Sequence, residues 1–532
     1  MLPFMNPTNK KSKKYVVAFK GLNYGEGYED GEFSETKNIS LDEFPCLTQR
    51  HGRITSSFEY GDAKSLCYKD GKYGGLFIAT ESTVTRYGES NPLLISDPEV
   101  EKVKKQMVGV GNYLIIFPDK VYYNVETDEF GSMDVEEVYM AKVTSQTIEL
   151  QKTEGYPKEF AFSKGDTVEI IGIPGYYDEN NPKSATIREW EPDTLTFDAN
   201  AFTANNNAAE ITIKRTVPDL DFICESNYRL WGVSKEGNTI YGSKYSDPLN
   251  FQSFDGSAGD SYAIDVGSDG KFTGCIPYTS HICFFKENML HKLYGSKPSN
   301  FQLVNSQVYG VQEGSAGSMC IINETLYYKG VNGVYAYNGG IPSLVSGKFG
   351  RKHYGFACAA TDGDKYYISM QDEELKRGLF VYDVRKNLWV KEDDLDCEDM
   401  AFDGQGVCML TDPYVYFVQR GDTNDTLPED IAPIDWSVTF CPFNEVMNER
   451  KGYSKFHMRL DLSEGASLVV KVKRNNDTQW HEVYSAPKTE RPQTITVPIL
   501  PKRCDSVEIQ LSGTGVCKLR TFIREFYVGS DV

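Results

Sequence analysis

The sequence has no apolar run long enough to cross a membrane. Its densest apolar stretch runs only from residue 113 to 117, far short of the roughly 20 residues that a bilayer-spanning helix needs. Residues 1–7 show no basic region ahead of an apolar core, so we expect no secretory signal peptide. The sequence therefore predicts a protein without a membrane span, made in a cytoplasm.

Metal-ligand spacing is also lacking. No C-x-x-C pair occurs, and the chain has only six His, which argues against a zinc site. The twelve Cys are scattered, and several lie in strand-like apolar runs such as 281–285 and 406–410, where a reduced thiol acts as a small buried hydrophobe. We expect reduced cysteines rather than a disulfide framework, as in a reducing compartment.

Helical periodicity and positive charge are scarce. Only residues 101–107 and 443–450 have a spacing that fits a turn or two of amphipathic helix. The 56 Lys and Arg are outnumbered by 76 Asp and Glu, which gives a formal net charge of −20. A protein that holds nucleic acid by neutralising phosphates is usually basic. The composition thus argues against a DNA-gripping protein.

Short apolar runs rich in aromatic residues are what the chain contains instead. There are 34 Tyr and 29 Phe, and flat rings pack well on pleated sheets. Residues 76–79 precede 84–88, and 113–117 precede 121–123, with Gly, Pro or polar residues between the members of each pair. Such pairs are typical of β-hairpins.

An internal repeat runs through the middle of the chain. Tyr-Gly-Ser-Lys occurs at 241–244 and again at 294–297, each followed by Asn-Phe, at 250–251 and 300–301. Paired strands with a period of roughly 40–55 residues are typical of propeller blades. We count about seven such units, at 64–88, 105–128, 221–251, 270–301, 318–345, 358–391 and 399–420.

Three regions of the sequence do not follow this repeat of paired strands. Residues 1–60 look irregular and hold a lysine cluster (Lys10, Lys11, Lys13, Lys14), which we interpret as a solvated tail rather than a contact for DNA or a partner. Residues 137–217 contain four or five short strands, such as 184–190, and predict an inserted small β-barrel. After an acidic linker at 422–433, residues 434–532 predict a β-sandwich.

These regions combine into one fold prediction. The chain is predicted to be all-β, with an irregular N-terminal segment at 1–60, an about seven-bladed β-propeller formed by 61–136 and 218–425, an inserted barrel at 137–217, and a C-terminal β-sandwich at 434–532.

Motifs that could carry chemistry are weak throughout. Residues 234–239 resemble the Asp-box turn of sialidases, but Glu236 stands where Asp belongs. Residues 109–111 lack the third Gly of a dinucleotide fingerprint. The Arg-Gly-Asp at 420–422 is interpreted as a chance tripeptide, and Trp231 and Trp389 as core residues rather than sugar-stacking platforms.

The acidic residues offer no specific site either. Asp362 and Asp364, and the run from Asp265 to Asp269, do not follow EF-hand spacing. Carboxylate pairs for glycoside hydrolysis stay open, because a sequence gives no distances. The prediction is therefore no catalytic residue, no cofactor-binding residue, no metal ligand, no cofactor and no enzymatic activity.

Two segments resemble a known family. They are 19–23 followed by 38–50, and 221–301, which includes Asp-Pro-Leu-Asn-Phe at 247–251, Asp-Val-Gly at 265–267 and Phe-Phe-Lys at 284–286. Together they resemble bacteriophage tail structural proteins of the β-propeller nozzle or hub type, also described as head-to-tail or tail-stabilisation proteins. No active-site residue carries over, because that family's function is structural.

The resemblance implies a virion tail protein, assembled in the bacterial host cytoplasm. Its implied partners are further copies of itself in a hexameric ring, the neighbouring portal, adaptor and tail proteins, and DNA that passes without specific binding. An acidic wall would repel phosphates and let a genome slide. The alternative functions are a receptor- or carbohydrate-binding propeller and, third, a glycosidase.

Overall fold

The computed structural model describes residues 11–89, 93–94, 104–173, 182–202, 205–418, 433–445, 450–475, 477–486, 494–500 and 502–528. Within these residues the protein is all-β, as predicted, and its helical structure consists of three short 3-10 turns: Pro298–Asn300, Ala316–Ser318 and Gly347–Phe349. The chain divides into two compact units, Gly61–Ala316 and the combination of Met1–Tyr60 with Gly317–Val532.

The unit Gly61–Ala316 contains four four-stranded antiparallel sheets, which we number 1 to 4 along the chain. Sheet 1 has strands Ser65–Lys69, Gly75–Ala79, Thr83–Arg86 and Leu93–Leu94. Sheet 2 has strands Gln106–Val110, Tyr113–Phe117, Val121–Asn124 and Glu129–Ser132. Sheet 3 has strands Leu220–Ser226, Arg229–Ser234, Thr239–Gly242 and Tyr262–Asp265. Sheet 4 has strands Phe272–Tyr278, His281–Lys286, Met289–Tyr294 and Gln302–Gln307.

Sheets 3 and 4 show how the repeated sequence becomes repeated structure. In both sheets the third strand ends at the Tyr-Gly of the repeat, at Tyr241–Gly242 and at Tyr294. Between the two sheets lies one buried cluster that includes Trp231 and Phe284. Aromatic rings in strands thus supply the apolar area that holds one small sheet against the next.

A seven-stranded antiparallel sheet, which we call the inserted sheet, interrupts this series between sheets 2 and 3. Its strands, in spatial order, are Lys183–Thr186, Thr167–Ile171, Asn205–Arg215, Val135–Val143, Thr147–Leu150, Thr194–Thr196 and Glu189–Glu191. Its two edge strands follow one another in the chain, where the sequence predicts a single strand at 184–190. The inserted sheet encloses its own buried apolar cluster.

The second unit contains three more four-stranded antiparallel sheets. Sheet 5 has strands Cys320–Ile322, Thr325–Gly330, Gly333–Tyr337 and Ser343–Leu344. Sheet 6 has strands Tyr354–Thr361, Lys365–Asp372, Arg377–Asp383 and Leu388–Asp393. Sheet 7 has strands Asp399–Phe402, Val407–Leu410 and Val415–Val418, and its fourth strand is Arg53–Thr55 from the N-terminal part of the chain.

Two larger sheets complete the second unit. The five-stranded sheet has the order Phe33–Lys37, Asp435–Phe440, Val507–Thr514, Leu468–Arg474 and His481–Ala486. The seven-stranded sheet has the order Ile39–Ser40, Leu47–Gln49, Cys517–Val528, Lys451–Leu462 and Thr494–Pro498, with Lys11–Val16 paired to Cys517–Val528 and Arg503–Cys504 paired to Lys451–Leu462. Apolar side chains of both sheets share one buried cluster.

Residues 11–55, for which the sequence predicts irregular structure, form five short strands. Each strand joins a sheet that also contains strands from residue 399 onwards, for example Phe33–Lys37 beside Asp435–Phe440. These strands are too short to show an alternation of apolar and polar residues. Their apolar contacts come from partners far away in the sequence, so the segment itself does not reveal them.

Candidate functional site

Trp231 and Trp389, the two tryptophans considered above as side chains that could stack on sugars, are both buried. Trp231 lies in the core between sheets 3 and 4, and Trp389, in the last strand of sheet 6, lies in a core that sheets 5 and 6 share. The Asp-box-like segment 234–239 is the turn between two strands of sheet 3, where the amide of Thr239 donates to the Ser234 hydroxyl at 3.1 Å. It serves as an ordinary hairpin turn.

The glycine and aspartate candidates are also structural. Gly109 lies within a strand, and Gly111 occupies the following turn with φ 54°. The Asp362 carboxylate accepts the amides of Asp364 and Lys365 at 3.0 and 2.8 Å, and Asp265 accepts the Thr239 hydroxyl. The Arg-Gly-Asp at 420–422 and nearly all of the predicted linker at 422–433 lie outside the described residues.

The lysine cluster belongs to a strand. Lys11 and Lys13 contact the Glu525 carboxylate at 3.2 and 3.5 Å, and Lys14 contacts Glu445 at 3.3 Å. Strand Lys11–Val16 pairs in register along residues 522–527. These lysines are therefore neutralised within the chain, where the sequence analysis interprets them as a solvated tail. Lys10 lies outside the described residues.

The ion pairs of this strand predict a pH dependence. Burial alone would raise the pKa of Glu525, but hydrogen bonds from Ser454 and Lys11 and the charges of Lys11 and Lys13 outweigh it and lower the pKa from 4.5 to about 2. A carboxyl whose folded pKa is depressed stabilises the fold above its unfolded pKa and loses that contribution as the pH falls through the folded value.

Strand Lys11–Val16 should consequently loosen between pH 4.5 and about 2. Amide hydrogen exchange of residues 11–16, corrected for intrinsic rates, measures this. The Glu525→Gln variant should show a loosened strand at every pH and no transition in that window. A strand equally protected at pH 5 and pH 2 in the wild-type chain would contradict the assignment.

A charged cleft of about 470 Å³ lies beside sheets 6 and 7. Its acidic groups are all engaged with neighbours: Asp42 with Lys365, Asp383 with Lys386 at 2.6 Å, Asp364 with Arg385 at 2.7 Å, and Asp362 with the Tyr367 hydroxyl at 3.3 Å.

Electrostatics keep one of these acids, Asp42, ionised. Burial alone would raise the pKa of Asp42, but hydrogen bonds from His51, Lys365 and Ser40 and the Lys365 charge hold it well below its usual range. A general acid needs a pKa raised towards neutrality. The environment of Asp42 has the opposite effect, so the cleft is built as a set of ion pairs.

The inserted sheet is anchored to sheet 3 through one buried carboxylate. Asp166 is fully buried and accepts from Arg215 Nη1 at 2.6 Å, from Asn250 Nδ2 at 2.8 Å and from the amide of Ser163 at 3.0 Å. Beside it, the amide of Thr167 donates to the carbonyl of Gln252 at 2.7 Å. Both carboxylate oxygens are used, which fixes the position of the inserted sheet relative to the loop after strand Thr239–Gly242.

That loop, residues 243–261, is held rigid by a buried arginine. The guanidinium of Arg229 donates to the carbonyls of Ser243 and Asp260 at 2.6 Å each and to that of Ala258 at 3.0 Å. The Asp260 carboxylate in turn accepts the amides of Gly256 and Ser257. A loop fixed at both ends and in the middle presents its exposed side chains in one arrangement.

Two exposed tyrosines lie on this loop and on the neighbouring turn of sheet 3. Tyr228 is 62% and Tyr245 is 48% exposed, and their rings meet edge to face at 6.0 Å. Tyr228 has φ 57° in the two-residue turn between the first strands of sheet 3, a position that favours glycine. This pair is not among the residues predicted from the sequence, although an Asn-Tyr turn between two apolar runs is visible there.

No group of His, Cys, Asp and Glu within the described ranges is arranged to hold a metal ion. In the same part of the chain, no helix has the length and apolarity that a bilayer crossing requires.

No protein-family model matches the chain, and no curated protein matches it. Among solved structures, it is similar to Hsv2 from Kluyveromyces lactis at 12% identity and a TM-score of 0.28, over 52% of this chain and 88% of Hsv2. It is similar to an exo-beta-1,3-galactanase from Phanerochaete chrysosporium at 11% identity and a TM-score of 0.23, over 57% of this chain and 95% of the galactanase. Similarities of this size assign neither a family nor an activity.

Proposed function

We propose that this chain is a structural component of a bacteriophage tail, a nozzle or hub protein that forms an oligomeric ring around the DNA exit channel. The observation that carries the proposal is the succession of small antiparallel sheets, which supports the family resemblance of residues 19–23, 38–50 and 221–301.

The proposed fold within that ring is a seven-bladed β-propeller. Sheets 1 to 7 would be its blades, and strand Arg53–Thr55 in sheet 7 supports closure, because the chain continues from it to sheet 1 at Ser65. In many propellers a strand from one end of the chain completes the last blade. The inserted sheet would be a barrel, closed where its two edge strands join at residues 187–188, and the two larger sheets a β-sandwich.

The electrostatics support a conduit rather than a catalyst. Three acids of the charged cleft are paired with Lys365, Lys386 and Arg385, and the fourth, Asp362, accepts from the Tyr367 hydroxyl. The net charge of −20 would weaken attraction for DNA phosphates. A protein through which DNA passes needs a surface that does not attract phosphates along the path of the DNA.

Electron microscopy of the purified protein tests the proposal. We expect six-fold or twelve-fold rings whose channel-facing surface is acidic. A chain that stays monomeric at micromolar concentration, or a ring whose channel is neutral or basic, would contradict it.

A receptor- or carbohydrate-binding role is the second candidate, and the exposed rings of Tyr228 and Tyr245 favour it. Aromatic side chains presented on a rigid support are suited to stacking on a ligand. Glycan binding by the isolated chain that is lost in the Tyr228→Ala variant would favour this candidate over the first. Turnover of a polysaccharide would favour the glycosidase, the third alternative.

A further inference from the structure

The outer strand of sheet 4 differs from the outer strands of the other six four-stranded sheets. In each of these sheets the fourth strand forms the outer edge, because the first strands of successive sheets pack against each other within each unit. An open edge presents unpaired amides and carbonyls to any other extended chain, so proteins blunt such edges by shortness, charge or a cover.

Six of the seven outer edges are blunted in these ways. Those of sheets 1 and 5 have two residues each, Leu93–Leu94 and Ser343–Leu344. The outer strands of sheets 2, 3 and 7 carry Glu129, Asp265 and Arg53.

The outer strand of sheet 6 is long, but the N-terminal segment covers it. The amide of Leu22 donates to the carbonyl of Trp389 at 2.7 Å, and the Thr36 hydroxyl accepts the amide of Lys391 at 2.8 Å.

The outer strand of sheet 4 has none of these devices. Gln302–Gln307 is six residues long, reads Gln-Leu-Val-Asn-Ser-Gln, and contains neither a charge nor a proline. Its pairing with Met289–Tyr294 runs without a bulge. No strand within the described residues pairs with its other side, and Val304 is 47% exposed. The edge is therefore an open template for a further strand.

We propose that this edge pairs with the same strand of a second copy of the chain, in antiparallel orientation. The pairing would place Gln302 opposite Ser306, Leu303 opposite Asn305, and Val304 opposite the Val304 of the second copy, because residues that oppose each other across the axis must have side chains on the same face of the strand. Self-pairing about a two-fold axis brings each strand against its own sequence, so a charged strand would meet its own charge. An uncharged strand avoids that repulsion, and this register packs the two Val304 side chains, each 47% exposed in the single chain, against each other.

The inference does not depend on the proposed tail function. A two-fold contact of this kind would join two copies of a free chain, or two rings face to face if rings form. Its test therefore measures the contact between two copies of the strand rather than the formation of a ring.

Register-specific cross-linking tests the contact. A chain with Gln302→Cys is mixed with a chain carrying Ser306→Cys and exposed to a mild oxidant, and peptides are mapped by mass spectrometry. Directly opposed strand residues have a Cα separation within disulfide range. We expect about tenfold more 302–306 disulfide in the mixture than disulfide-linked dimer from either variant alone. Equal yields in all three samples would overturn the register.

A charge placed on the edge gives the second measurement. Val304→Lys should halve the mass observed in sedimentation at tens of micromolar, because a lysine on an edge strand disfavours strand addition. Val304→Thr is the matched control and should keep the wild-type mass. Circular dichroism checks that both variants fold. An unchanged mass in Val304→Lys, together with no 302–306 disulfide, would overturn the proposal whether or not the chain forms rings.

Discussion

Replacing Asp166 with alanine should release the inserted sheet from sheet 3 and lower its local free energy of unfolding by about 3–5 kcal/mol, the usual cost of leaving a buried charge without its partner. The side chain of Arg215 is 11% exposed and contacts Asp166 at 2.6 Å. Without the Asp166 carboxylate, the Arg215 guanidinium remains charged in a poorly solvated environment. Asn250 and the amide of Ser163 lose their acceptor as well.

Native-state hydrogen exchange measures this effect locally, at strands Thr167–Ile171 and Asn205–Arg215. The matched control is Asp198→Ala, which removes a two-pronged contact with Arg188 at 2.9 Å on the surface, where Asp198 is 67% exposed. Solvent and salt weaken such pairs, so we expect no measurable change. Adding Arg215→Met to Asp166→Ala should recover part of the lost local stability, because it removes the unpaired arginine charge. Unchanged exchange in Asp166→Ala would refute the anchor.

The sequence was informative where each strand carries its own apolar pattern. The all-β class follows from alternation and aromatic content, and it is confirmed. The apolar runs at 76–79 and 113–117 form most or all of strands Gly75–Ala79 and Tyr113–Phe117. In such strands the pattern of the segment itself records which face is buried.

The sequence was uninformative where structure depends on partners distant in the chain. Strand Arg53–Thr55 has three residues and acquires its place only from Val415–Val418. The anchor of Asp166, Arg215 and Asn250 joins residues that no spacing rule connects. Polar residues of these types are mostly exposed, so only the folded chain reveals which ones are buried. The same limit applies to the Tyr228–Tyr245 pair, whose contact crosses a turn and a loop.

The arginine that holds the last of the seven small sheets should matter as much as the anchor of the inserted sheet. Arg53 contacts Asp393 at 2.7 Å and Glu392 at 2.6 Å, and the three side chains are 7%, 15% and 10% exposed. Arg50 contacts the same Asp393 at 3.6 Å. Replacing Arg53 with methionine leaves two adjacent carboxylates with only the distant Arg50 for compensation, which we expect to cost about 3–5 kcal/mol.

The loss should appear first in the strand that Arg53 begins. Strand Arg53–Thr55 pairs along Tyr416–Val418, and the amide of Ser56 continues the contact to the carbonyl of Val415 at 2.8 Å. Hydrogen exchange of residues 53–56 and 415–418 should accelerate in Arg53→Met, and less so in Arg53→Lys, which keeps the charge but not the forked geometry. Arg520→Met, which removes an exposed contact with Asp461, is the control and should leave exchange unchanged.

The spread of that acceleration also bears on the proposed closure. If strand Arg53–Thr55 joins the two ends of a seven-bladed ring, loosening it should raise exchange in strand Ser65–Lys69 of sheet 1 as well as in sheet 7, because a ring opened at one joint loses support on both sides. Acceleration confined to sheet 7 would assign Arg53 a local role and argue against closure through this strand. Unchanged exchange everywhere would contradict the importance of the ion pairs themselves.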